Sequence, residues 1–371
     1  MIIRKLILKN FRNIEQQELC FSDGVNILTG DNAQGKTNII EALWLFSAFK
    51  SFRTTNEKDF IRYGSEFARL DLTFEKDGRL SEGLLKYYTE KRREIFLNGI
   101  RRKPSEMMGT VLHVMFFPEH LNLIKEGPEE RRRFIDFAVC QLYPHYFTLL
   151  SSYNKTLFQR NHVLKSEDSS MRKTLDVWDE KLAALGARIY GTRRKYIRLL
   201  EENAMPVTEE ISGGHEKLSL VYRSFADADE ENEAKAELKK QLAEQRDRDF
   251  LSGFTGVGPH KDNLEILLNG RLARSFGSQG QQRSAVMALK LAETEIIRDV
   301  YGEAPVLLFD DVFSELDRFR KEYIVSRIRD KQVIVTSCEE MSDFGKAKVF
   351  DVRNGKAEER HVSSHRSELS D

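Results

Sequence analysis

A glycine-rich run between an apolar strand and a helix constrains this chain more than any other feature. Residues 24–41 read GVNILTGDNAQGKTNIIE, with four residues between Gly30 and the run Gly35-Lys36-Thr37. The preceding residues 25–28 are typical of a buried strand, and residues 37–46 have the apolar spacing of a helix. A turn of this spacing between a strand and a helix is typical of a phosphate-binding loop, so the run predicts an α/β fold.

The residues of this loop match the chemistry of nucleotide phosphates. Gly30 and Gly35 permit tight turns, backbone N–H groups point at phosphate oxygens, and Lys36 reaches the terminal phosphates. Thr37 offers a hydroxyl to Mg²⁺. The alternative is a glycine-containing turn that only caps a helix. The loop residues predicted to bind the nucleotide are Gly30, Asp31, Asn32, Ala33, Gln34, Gly35, Lys36, Thr37 and Asn38.

A second strand carries the acids that nucleotide hydrolysis requires. Residues 305–317 read PVLLFDDVFSELD, an apolar strand that ends in Asp310 and Asp311. Asp310 is predicted to hold Mg²⁺ or its water, and Asp311 to position the attacking water. With Lys36, these two acids are the predicted catalytic residues. The alternative is a polar cap on a buried strand.

A second helix start also has the features of an anion site. Residues 275–293 read SFGSQGQQRSAVMALKLAE, a turn of small residues that opens an amphipathic helix. Ser278 and the N–H groups around Gly280 are predicted to face an anion. One phosphate loop is enough to bind one nucleotide. A second anion site in the same chain therefore needs a separate explanation. An ordinary helix cap is the alternative, which these residues alone do not exclude.

Charge and cysteine content narrow the class of protein. The 59 Lys and Arg residues balance 59 Asp and Glu residues, so the surface is not uniformly basic. A charged partner such as nucleic acid would have to bind a local patch of opposite charge. The three cysteines are far apart and form no CxxC pair, which predicts free, mostly buried thiols in a reducing compartment. No run of eighteen apolar residues and no cleavable leader is found in the sequence. We therefore expect a soluble cytoplasmic protein that does not enter a membrane.

The rest of the chain changes from strand-rich to helical patterns and back. Residues 67–103 are typical of strands, with a two-residue hairpin at Asn98-Gly99. Residues 128–250 have helical patterning, and their charged part from 225 to 250 is either an exposed helix or partly mobile. An apolar seam is predicted along Leu182, Leu185, Ile189, Thr192, Tyr196 and Leu199. The predicted segments are residues 1–130 (first part of an ATPase head with an antiparallel β subdomain), 131–250 (a helical arm), 251–358 (second part of the head) and 359–371 (a polar tail).

Three clusters of basic residues are candidates for contact with nucleic acid. Residues 91–93 and 101–103 flank the predicted hairpin turn, and residues 131–133 begin the helical segment. Each could neutralise phosphates without reading bases, which would give salt-sensitive binding of low sequence specificity. The alternative for any one cluster is a solvated surface, and residues 131–133 could equally lie inside the fold. The predicted DNA-binding residues are Lys91, Arg92, Arg93, Arg101, Arg102 and Lys103.

Longer motifs resemble the RecF family of bacterial recombination mediators. The run GSQGQ at 277–281 is similar to the LSGGQ signature of ABC-type ATPases, and SELD at 314–317 is similar to their D-loop. The blocks that resemble RecF are NFRNIE, NAQGKTNIIEA, KSFR, FFPEHLNLIKEGPEERRRFID, LFQRN, GPHKDNLEI, GSQGQQRS and LLFDDVFSELDRFR. They cover nearly the whole chain. His260, in GPHKDNLEI, has no role that the sequence explains.

The resemblance implies an ATP-dependent DNA-binding protein with an SMC-like, ABC-type ATPase head. Proteins of this family dimerise around two ATP molecules with Mg²⁺ and bind double-stranded, gapped and junction DNA. They act with RecR and RecO to load RecA in DNA replication, recombinational repair and the SOS response, and a weak, DNA-stimulated ATPase serves DNA binding and release. For this chain, the resemblance implies that Thr37 and Asp310 hold Mg²⁺ and that Arg12 lies near the α-phosphate. It implies that Ser278, Gly280 and Gln281 reach the ATP held by a second copy.

Two departures from transporter ATPases bear on the rate of hydrolysis. Such ATPases usually carry Glu where this chain has Asp311, and His in the switch position, where VIVTSC offers Thr336 or Ser337. Without a His to contact the γ-phosphate, we expect slow hydrolysis. A nucleotide-binding subunit of an ABC transporter is one alternative, but it predicts the missing His. A short SMC-like structural protein is another, but it would need hundreds of coiled-coil residues.

Overall fold

The computed structural model describes residues 1–339, 341 and 344–360. The strands are β1 (Ile2–Phe11), β2 (Ile14–Cys20), β3 (Val25–Thr29), β4 (Phe67–Lys76), β5 (Arg79–Tyr88), β6 (Glu94–Leu97), β7 (Ile100–Arg101), β8 (His113–Phe116), β9 (Leu218–Arg223), β10 (Asn263–Leu268), β11 (Arg271–Leu272), β12 (Val306–Asp310), β13 (Val333–Ser337), β14 (Ala347–Arg353) and β15 (Lys356–Glu359). The α-helices are α1 (Lys36–Ala48), α2 (Pro104–Met107), α3 (Asn122–Lys125), α4 (Pro128–Leu142), α5 (Pro144–Lys165), α6 (Ser169–Arg172), α7 (Leu175–Ile211), α8 (Glu231–Glu244), α9 (Arg246–Ser252), α10 (Ala273–Phe276), α11 (Gln279–Tyr301) and α12 (Arg318–Ile328).

The chain forms two compact units, each built from segments that are distant in sequence. Unit 1 comprises residues 1–102, 113–118 and those from 305 on, and unit 2 comprises residues 103–112 and 119–304. The predicted division into two parts of an ATPase head separated by a helical arm stays a prediction. The two compact units have different boundaries from these predicted segments. Residues 119–130 and 251–304 belong with the helices of unit 2. Of the predicted tail, residues 361–371 lie outside the described residues.

The first sheet of unit 1 is antiparallel, with the strand order β2-β1-β4-β5-β6-β7. Strand β1 alternates between the two faces of this sheet: Leu6 and Leu8 are fully buried, while Lys9 is exposed. The predicted hairpin is confirmed: Asn98 and Gly99 join β6 to β7 with φ values of 49° and 76°. Positive φ at both central residues is what a type I′ turn requires.

The second sheet of unit 1 has the strand order β15-β14-β3-β13-β12-β8. Strands β14, β3, β13, β12 and β8 run parallel, and β15 pairs antiparallel with β14. Strands β3 and β12 are buried along their whole length, as expected when both faces of a parallel sheet are covered. Helix α1 packs against strands of both sheets of this unit. The predicted α/β architecture is confirmed.

Unit 2 is organised around α7, a helix of 37 residues. Helices α4, α5, α8 and α11 and strand β9 pack against it. The predicted seam is only partly right: Leu182, Ile189 and Tyr196 are buried, but Thr192 is half-buried and Leu199 is 37% exposed. A helix with 3.6 residues per turn drifts relative to a seam with a seven-residue repeat, so part of a long seam turns away from the core.

Two parts of the helical segment differ from the sequence pattern. Residues 218–223 form a strand, β9, which pairs antiparallel with β10 in a sheet of order β11-β10-β9. The charged stretch after residue 225 contains an ordered helix, α8, because Ala234, Leu238 and Leu242 recur every four residues and are fully buried. The polar residues between them account for the charged composition.

The cysteines are free, as predicted, but their predicted burial is wrong for two of the three. Cys140 is buried in α4, whereas Cys20 and Cys338 are exposed. Cys20 ends an edge strand and Cys338 follows the last residue of β13, so neither lies within the core. Among the described residues, no helix is both long enough and apolar enough to cross a membrane.

Candidate nucleotide-binding site

The carboxyl ends of three neighbouring parallel strands converge on the predicted phosphate loop. The loop follows β3, Asp310 is the last residue of β12 and Asp311 follows it, and β13 lies between these strands. The register pairs Thr336 of β13 with Asp310 on one side and with Leu28 on the other. Ligand sites in parallel sheets form at the carboxyl ends of strands, where loops from adjacent strands meet. Residues from three regions of the sequence therefore surround one point.

Three backbone positions in the loop have left-handed or otherwise positive φ values. These are Gly30 (149°), Ala33 (63°) and Gly35 (115°). A Cβ at Gly30 would lie 2.3 Å from the carbonyl oxygen of Val352 in β14, so a side chain has no space there. Gly35 is the N-cap of α1, and it provides no side-chain cap for the first N–H groups of that helix. The amides of Asn38 and Ile39 donate to the Gly35 carbonyl oxygen over 3.1 and 3.2 Å. The amides of Lys36 and Thr37 come too early in the helix for an intrahelical acceptor and are suited to an anion.

Lys36 is bound to the loop itself. Its ammonium group donates to the carbonyl oxygens of Gly30 and Asp31, the latter over 2.8 Å, and the side chain is buried. Its Nζ also lies 3.3 Å from Sγ of Cys338, whose S–H group donates to Asn32 Oδ1. Carbonyl oxygens are weaker partners for an ammonium group than phosphate oxygens are. The lysine is therefore held where it can transfer its hydrogen bonds to a phosphate.

Thr37 and Asp310 bring two oxygen atoms together beside the loop. The hydroxyl of Thr37 donates to Asp310 Oδ1 over 3.1 Å. In an octahedral Mg²⁺ site with bonds of 2.0–2.1 Å, adjacent ligand oxygens are about 2.9 Å apart, so these two atoms fit neighbouring positions. Among the described residues, no group of three His, Cys, Asp or Glu side chains could hold a metal. This donor set suits Mg²⁺, which commonly takes one or two protein ligands together with phosphate oxygens and water.

Asp311 has a strained backbone. Its φ is 52°, its amide donates to Thr336 Oγ1 over 2.9 Å, and its carbonyl oxygen accepts a hydrogen bond from Ser314 over 2.8 Å. A residue other than glycine in this region persists only where its surroundings impose the conformation, and such positions cluster at functional sites. The two carboxylates have different partners: Asp310 Oδ1 accepts from Thr37 and Thr336, whereas Asp311 Oδ1 lies 3.4 Å from the Ser314 hydroxyl.

A hairpin from the end of the described chain braces the phosphate loop. The Gly355 amide donates to the Gln34 carbonyl oxygen over 2.9 Å, and the Asn354 amide donates to Gln34 Oε1 over 2.7 Å. Asn13 donates to the same carbonyl oxygen over 3.3 Å. Asn13, Asn354 and Gly355 were not predicted to take part. Only Asn13 had a sequence signal, because it lies in the NFRNIE block.

Arg12, predicted to lie near the α-phosphate, binds a buried acid. Its guanidinium donates to both carboxylate oxygens of Glu41 over 2.9 and 2.7 Å, and to the carbonyl oxygen of Asp59 over 2.8 Å. Glu41 is fully buried in α1 and also accepts from Ser51. Arg53 lies 3.6 Å from Glu41 and donates to Asn38 Oδ1. The NFRNIE and KSFR blocks thus meet at the helix that follows the loop.

Asn38, predicted to bind the nucleotide, forms hydrogen bonds with Asn13 and Arg53 instead. Its Nδ2 donates to Asn13 Oδ1 over 2.8 Å, and its Oδ1 accepts from Arg53 over 2.8 Å. Its hydrogen-bonding atoms are therefore occupied by protein groups. The predictions that Asn38 and Arg12 contact nucleotide stay predictions.

The predicted signature residues lie in unit 2, at the start of α11. Ser278 is the N-cap: its Oγ accepts from the amide of Gln281 over 3.3 Å, and Gln281 Oε1 accepts from the amide of Ser278 over 2.8 Å. This capping box is the ordinary cap that the sequence left open as an alternative. The box uses a lone pair of the Ser278 oxygen and leaves its hydroxyl proton able to donate to an anion. Ser278 is exposed, and Gly280 beside it is half-buried.

Thr336 and Ser337, the two residues predicted for the switch position, both bind protein groups, and their place at the γ-phosphate stays a prediction. Thr336 faces Asp310, and Ser337 donates to the carbonyl oxygen of Glu339. Cys338, the next residue along the chain, is the one that contacts Lys36. A thiol is a weaker hydrogen-bonding group than an imidazole, so the contact does not replace the missing His.

The basic side chains predicted to bind DNA differ in their exposure and in whether they bind other protein groups. Arg93 is engaged within unit 1, where it donates to the carbonyl oxygen of Phe49 and to Glu57, both over 2.6 Å. Lys91 lies 3.3 Å from Glu94, and the Arg101 side chain is 69% exposed. Arg92, Arg102 and Lys103 are exposed. These residues stay predicted DNA contacts, with Arg93 occupied by protein partners.

The third cluster, Arg131–Arg133, is largely structural. Arg131 is buried and donates to the carbonyl oxygens of Leu123 and Glu126 and to Asn263. Arg132 donates to the carbonyl oxygen of Asp262 over 2.7 Å. The reading that places this cluster inside the fold describes these two arginines.

The structure also explains the histidine of the GPHKD block. Tyr153 donates to Nδ1 of His260 over 2.7 Å, and Nε2 of His260 donates to the carbonyl oxygen of Thr255 over 2.9 Å. Burial lowers the pKa of His260 to about 4, so the ring is neutral at pH 7. The nearby Arg193 binds Asp136 and Asp262 across unit 2. His260 therefore ties this block to helix α5.

The parallel sheet with its phosphate loop, the neighbouring acidic strand and the antiparallel sheet define an ATPase head of the SMC type. A solved structure of an SMC head bound to the C-terminal winged-helix domain of ScpA has a TM-score of 0.59 and 17% identity, and the match covers 98% of each chain. At this identity the likeness shows the fold alone. The family model described as the RecF/RecN/SMC N terminal domain matches residues 2–358.

The chain belongs to the RecF family. It is 43% identical over 350 residues to the DNA replication and repair protein RecF of Geobacillus thermodenitrificans (strain NG80-2), covering 91% of this chain and 92% of that protein. RecF of Bacillus cereus (strain G9842) is 38% identical over 367 residues, covering 96% and 98%. A solved structure described as the recombination mediator protein RecF–ATP in the RecFOR pathway has a TM-score of 0.91 and 36% identity, with 97% of each chain covered.

Proposed function

We propose that this chain is an ATP-gated DNA-binding protein of DNA replication and repair. Two copies bind two ATP molecules with Mg²⁺, and the dimer binds double-stranded DNA at gaps and at junctions with single strands, with little sequence specificity. Slow hydrolysis of ATP releases the DNA. The protein acts in the cytoplasm with RecR and RecO, and helps them to load RecA. The family of the chain and the name of the related RecF–ATP structure support this proposal.

The observation that carries the proposal is the convergence of Lys36, Thr37 and Asp310 at the ends of β3 and β12. Lys36 would contact the terminal phosphates, while Thr37 and Asp310 would hold Mg²⁺, whose charge stabilises the phosphate oxygens during transfer. Asp311 would orient the attacking water. Without a switch His, and with the shorter carboxylate of Asp311, we expect hydrolysis that is slow compared with that of transporter ATPases. Single-turnover hydrolysis as fast as in transporters would contradict this.

Sedimentation with and without ATP tests the first part of the proposal. The wild-type protein should sediment as a dimer with ATP and Mg²⁺, and should then retain gapped DNA at moderate salt. The Lys36→Met variant should remain monomeric and lose ATP-dependent retention. A wild-type protein that stays monomeric with ATP, and whose DNA retention does not change, would refute ATP gating.

A mixing experiment tests whether each ATP is shared between two copies. Ser278→Arg blocks the signature and keeps the phosphate loop, whereas Lys36→Met has the opposite defect. Neither variant alone should hydrolyse ATP, but a mixed dimer contains one intact composite site. Mixing should therefore restore part of the activity, up to one site per dimer. Absence of any gain on mixing would mean that Ser278 serves the nucleotide of its own copy.

A further inference from the structure

The antiparallel sheet of unit 1 has a polar outer face. Its inner face is formed by buried residues such as Leu6, Leu70 and Leu85. Side chains alternate between the two faces of a strand, so the intervening residues of β1, β4 and β5 point outward. We call the part of this surface that surrounds Lys9, Arg69 and Lys86 the basic sheet face.

Three positive charges lie side by side on this face. The register pairs Lys9 of β1 with Arg69 of β4, and Arg69 with Lys86 of β5. Like charges directly opposite each other on neighbouring strands destabilise a sheet, so such a row is unfavourable without a counter-charge. Gln16 of β2 and Glu94 of β6 continue the same row at its two ends.

The protein neutralises this row only in part. Arg69 binds both oxygens of Asp71 over 2.7 and 2.6 Å, and Glu94 is 3.3 Å from Lys91. No ion pair joins Lys9 or Lys86 to any acid among the described residues of the chain. Counting Lys91 with the row, four positive side chains face two negative ones. The surplus belongs to Lys9 and Lys86.

An aromatic pair borders the row. Phe67 lies directly opposite Tyr88, one step along the strands from Arg69 and Lys86. Lys9 lies 5.9 Å from the centre of the Phe67 ring, and Lys91 lies 3.9 Å from that of Tyr88. The aromatic pair and the row border an open concavity of about 470 Å³, lined by Ile7, Lys9, Gln16, Phe67, Arg69, Asp71, Lys86 and Tyr88.

We propose that the basic sheet face binds the sugar–phosphate backbone of DNA. Three strands about 4.8 Å apart spread the row over roughly 10 Å. One strand of duplex DNA carries a phosphate for about every 3.4 Å of the helix axis, so the row can meet up to about three phosphates of one strand. Lys9 and Lys86 neutralise phosphates, Arg69 adds a third contact, and the Phe67–Tyr88 pair packs against sugars or unstacked bases. The inference rests on the proposed function and gives its DNA a place on this chain.

The test uses the full-length Lys9→Gln, Lys86→Gln double variant. Both side chains lack ion pairs to the described residues, so the thermal unfolding midpoint should stay within a few degrees of the wild type. The control is Lys155→Gln, Lys356→Gln, which removes the same charge from two other exposed positions. Binding to a gapped duplex is measured with ATP at a series of salt concentrations.

We expect the dissociation constant of the double variant to rise at least about tenfold, and the slope of log K against log salt to become shallower by about 1.8, for two phosphate contacts. The control should keep the wild-type slope. If wild type and control bind DNA with ATP and the double variant has the same affinity and slope, the basic sheet face is not the DNA site, although the proposed function stands. If the wild type shows no ATP-dependent DNA binding, the proposed function itself fails.

A polyglutamate peptide distinguishes an acidic protein partner from DNA. The peptide should compete poorly with the gapped duplex for the wild-type protein. A double variant that loses peptide binding but keeps its DNA affinity and salt slope would assign the basic sheet face to an acidic protein segment and overturn the inference.

Discussion

Thr336 holds Asp310 in place: its hydroxyl donates to Asp310 Oδ1 over 2.7 Å, while its oxygen accepts from the Asp311 amide over 2.9 Å. One buried side chain thus orients the predicted Mg²⁺ ligand and fixes the strained backbone of the next residue. Thr336 is a positioning residue, because it acts through the two acids.

Replacing this hydroxyl should impair hydrolysis more than ATP binding. Thr336→Val removes both hydrogen bonds with little change in volume, and we expect kcat to fall roughly 10- to 100-fold, as for other residues that orient metal ligands. The affinity for ATP without Mg²⁺ should change less than about threefold. Thr336→Ser keeps the hydroxyl and is the matched control. Equal rates for the Val and Ser variants in single-turnover assays would exclude the positioning role.

Gly30 should tolerate no side chain. A Cβ there would lie 2.3 Å from the Val352 carbonyl oxygen, at a φ of 149° that side chains rarely adopt. We expect Gly30→Ala to lower the free energy of unfolding by more than about 2 kcal/mol and to abolish ATP binding. Gly24→Ala is the control, since nothing lies within 4 Å of its Cβ position. Urea unfolding and binding of a fluorescent ATP analogue measure both effects, and wild-type stability of Gly30→Ala would contradict the expected clash between β3 and β14.

Arg160 should be the most important ion-pair residue of unit 2. It is fully buried and binds Asp179 and Asp249, each over 2.6 Å. Arg160→Met would leave the buried Asp249 without a cation and would leave Asp179 with only Arg246, which lies 2.6 Å away. We therefore expect a loss of about 3–5 kcal/mol in the free energy of unfolding.

The comparison for Arg160 is an exposed arginine with two acidic partners. Arg133 lies 2.6 Å from Glu129 and 2.8 Å from Glu130, but all three side chains are largely exposed. Arg133→Met should therefore change the free energy of unfolding by less than about 1 kcal/mol. Similar losses for the two variants in urea unfolding would show that burial does not set the strength of the Arg160 pairs.

His260 should make unit 2 sensitive to acid. Burial lowers its pKa in the folded protein to about 4, from an ordinary value of 6.5. As the pH falls below 6.5, the unfolded chain binds the proton first, so stability is unaffected above pH 6.5 and falls between pH 6.5 and 4. We expect a loss on the order of 1–2 kcal/mol between pH 7 and pH 5.

The pH effect is measured against a variant that does not titrate. His260→Gln keeps an amide that can donate and accept, and its stability should fall less than that of the wild type over the same range. His113, whose pKa burial lowers to about 3, contributes equally to both proteins and cancels in the difference. Parallel stability curves for wild type and variant would assign the acid sensitivity to other groups.

Several features could be predicted from sequence because their requirements are local. The turn at Asn98-Gly99 needs two residues that accept positive φ, and the loop before α1 needs Gly30 and Gly35 for the same reason. Helix α8 was less clear, since its charged composition hides a buried residue at every fourth position. Strand β9 lies within a helical pattern, and its pairing with β10 decided its conformation.

The sequence by itself determined the loop, the acidic strand and the family, because each depends on residues that are close together in the chain. Only the tertiary structure placed β13 between β3 and β12, which brought Thr336 to Asp310 and Cys338 to Lys36. The row of Lys9, Arg69 and Lys86 likewise exists only through the register of three strands. Strand order and register follow from packing between distant segments, and no local pattern of residues contains that information.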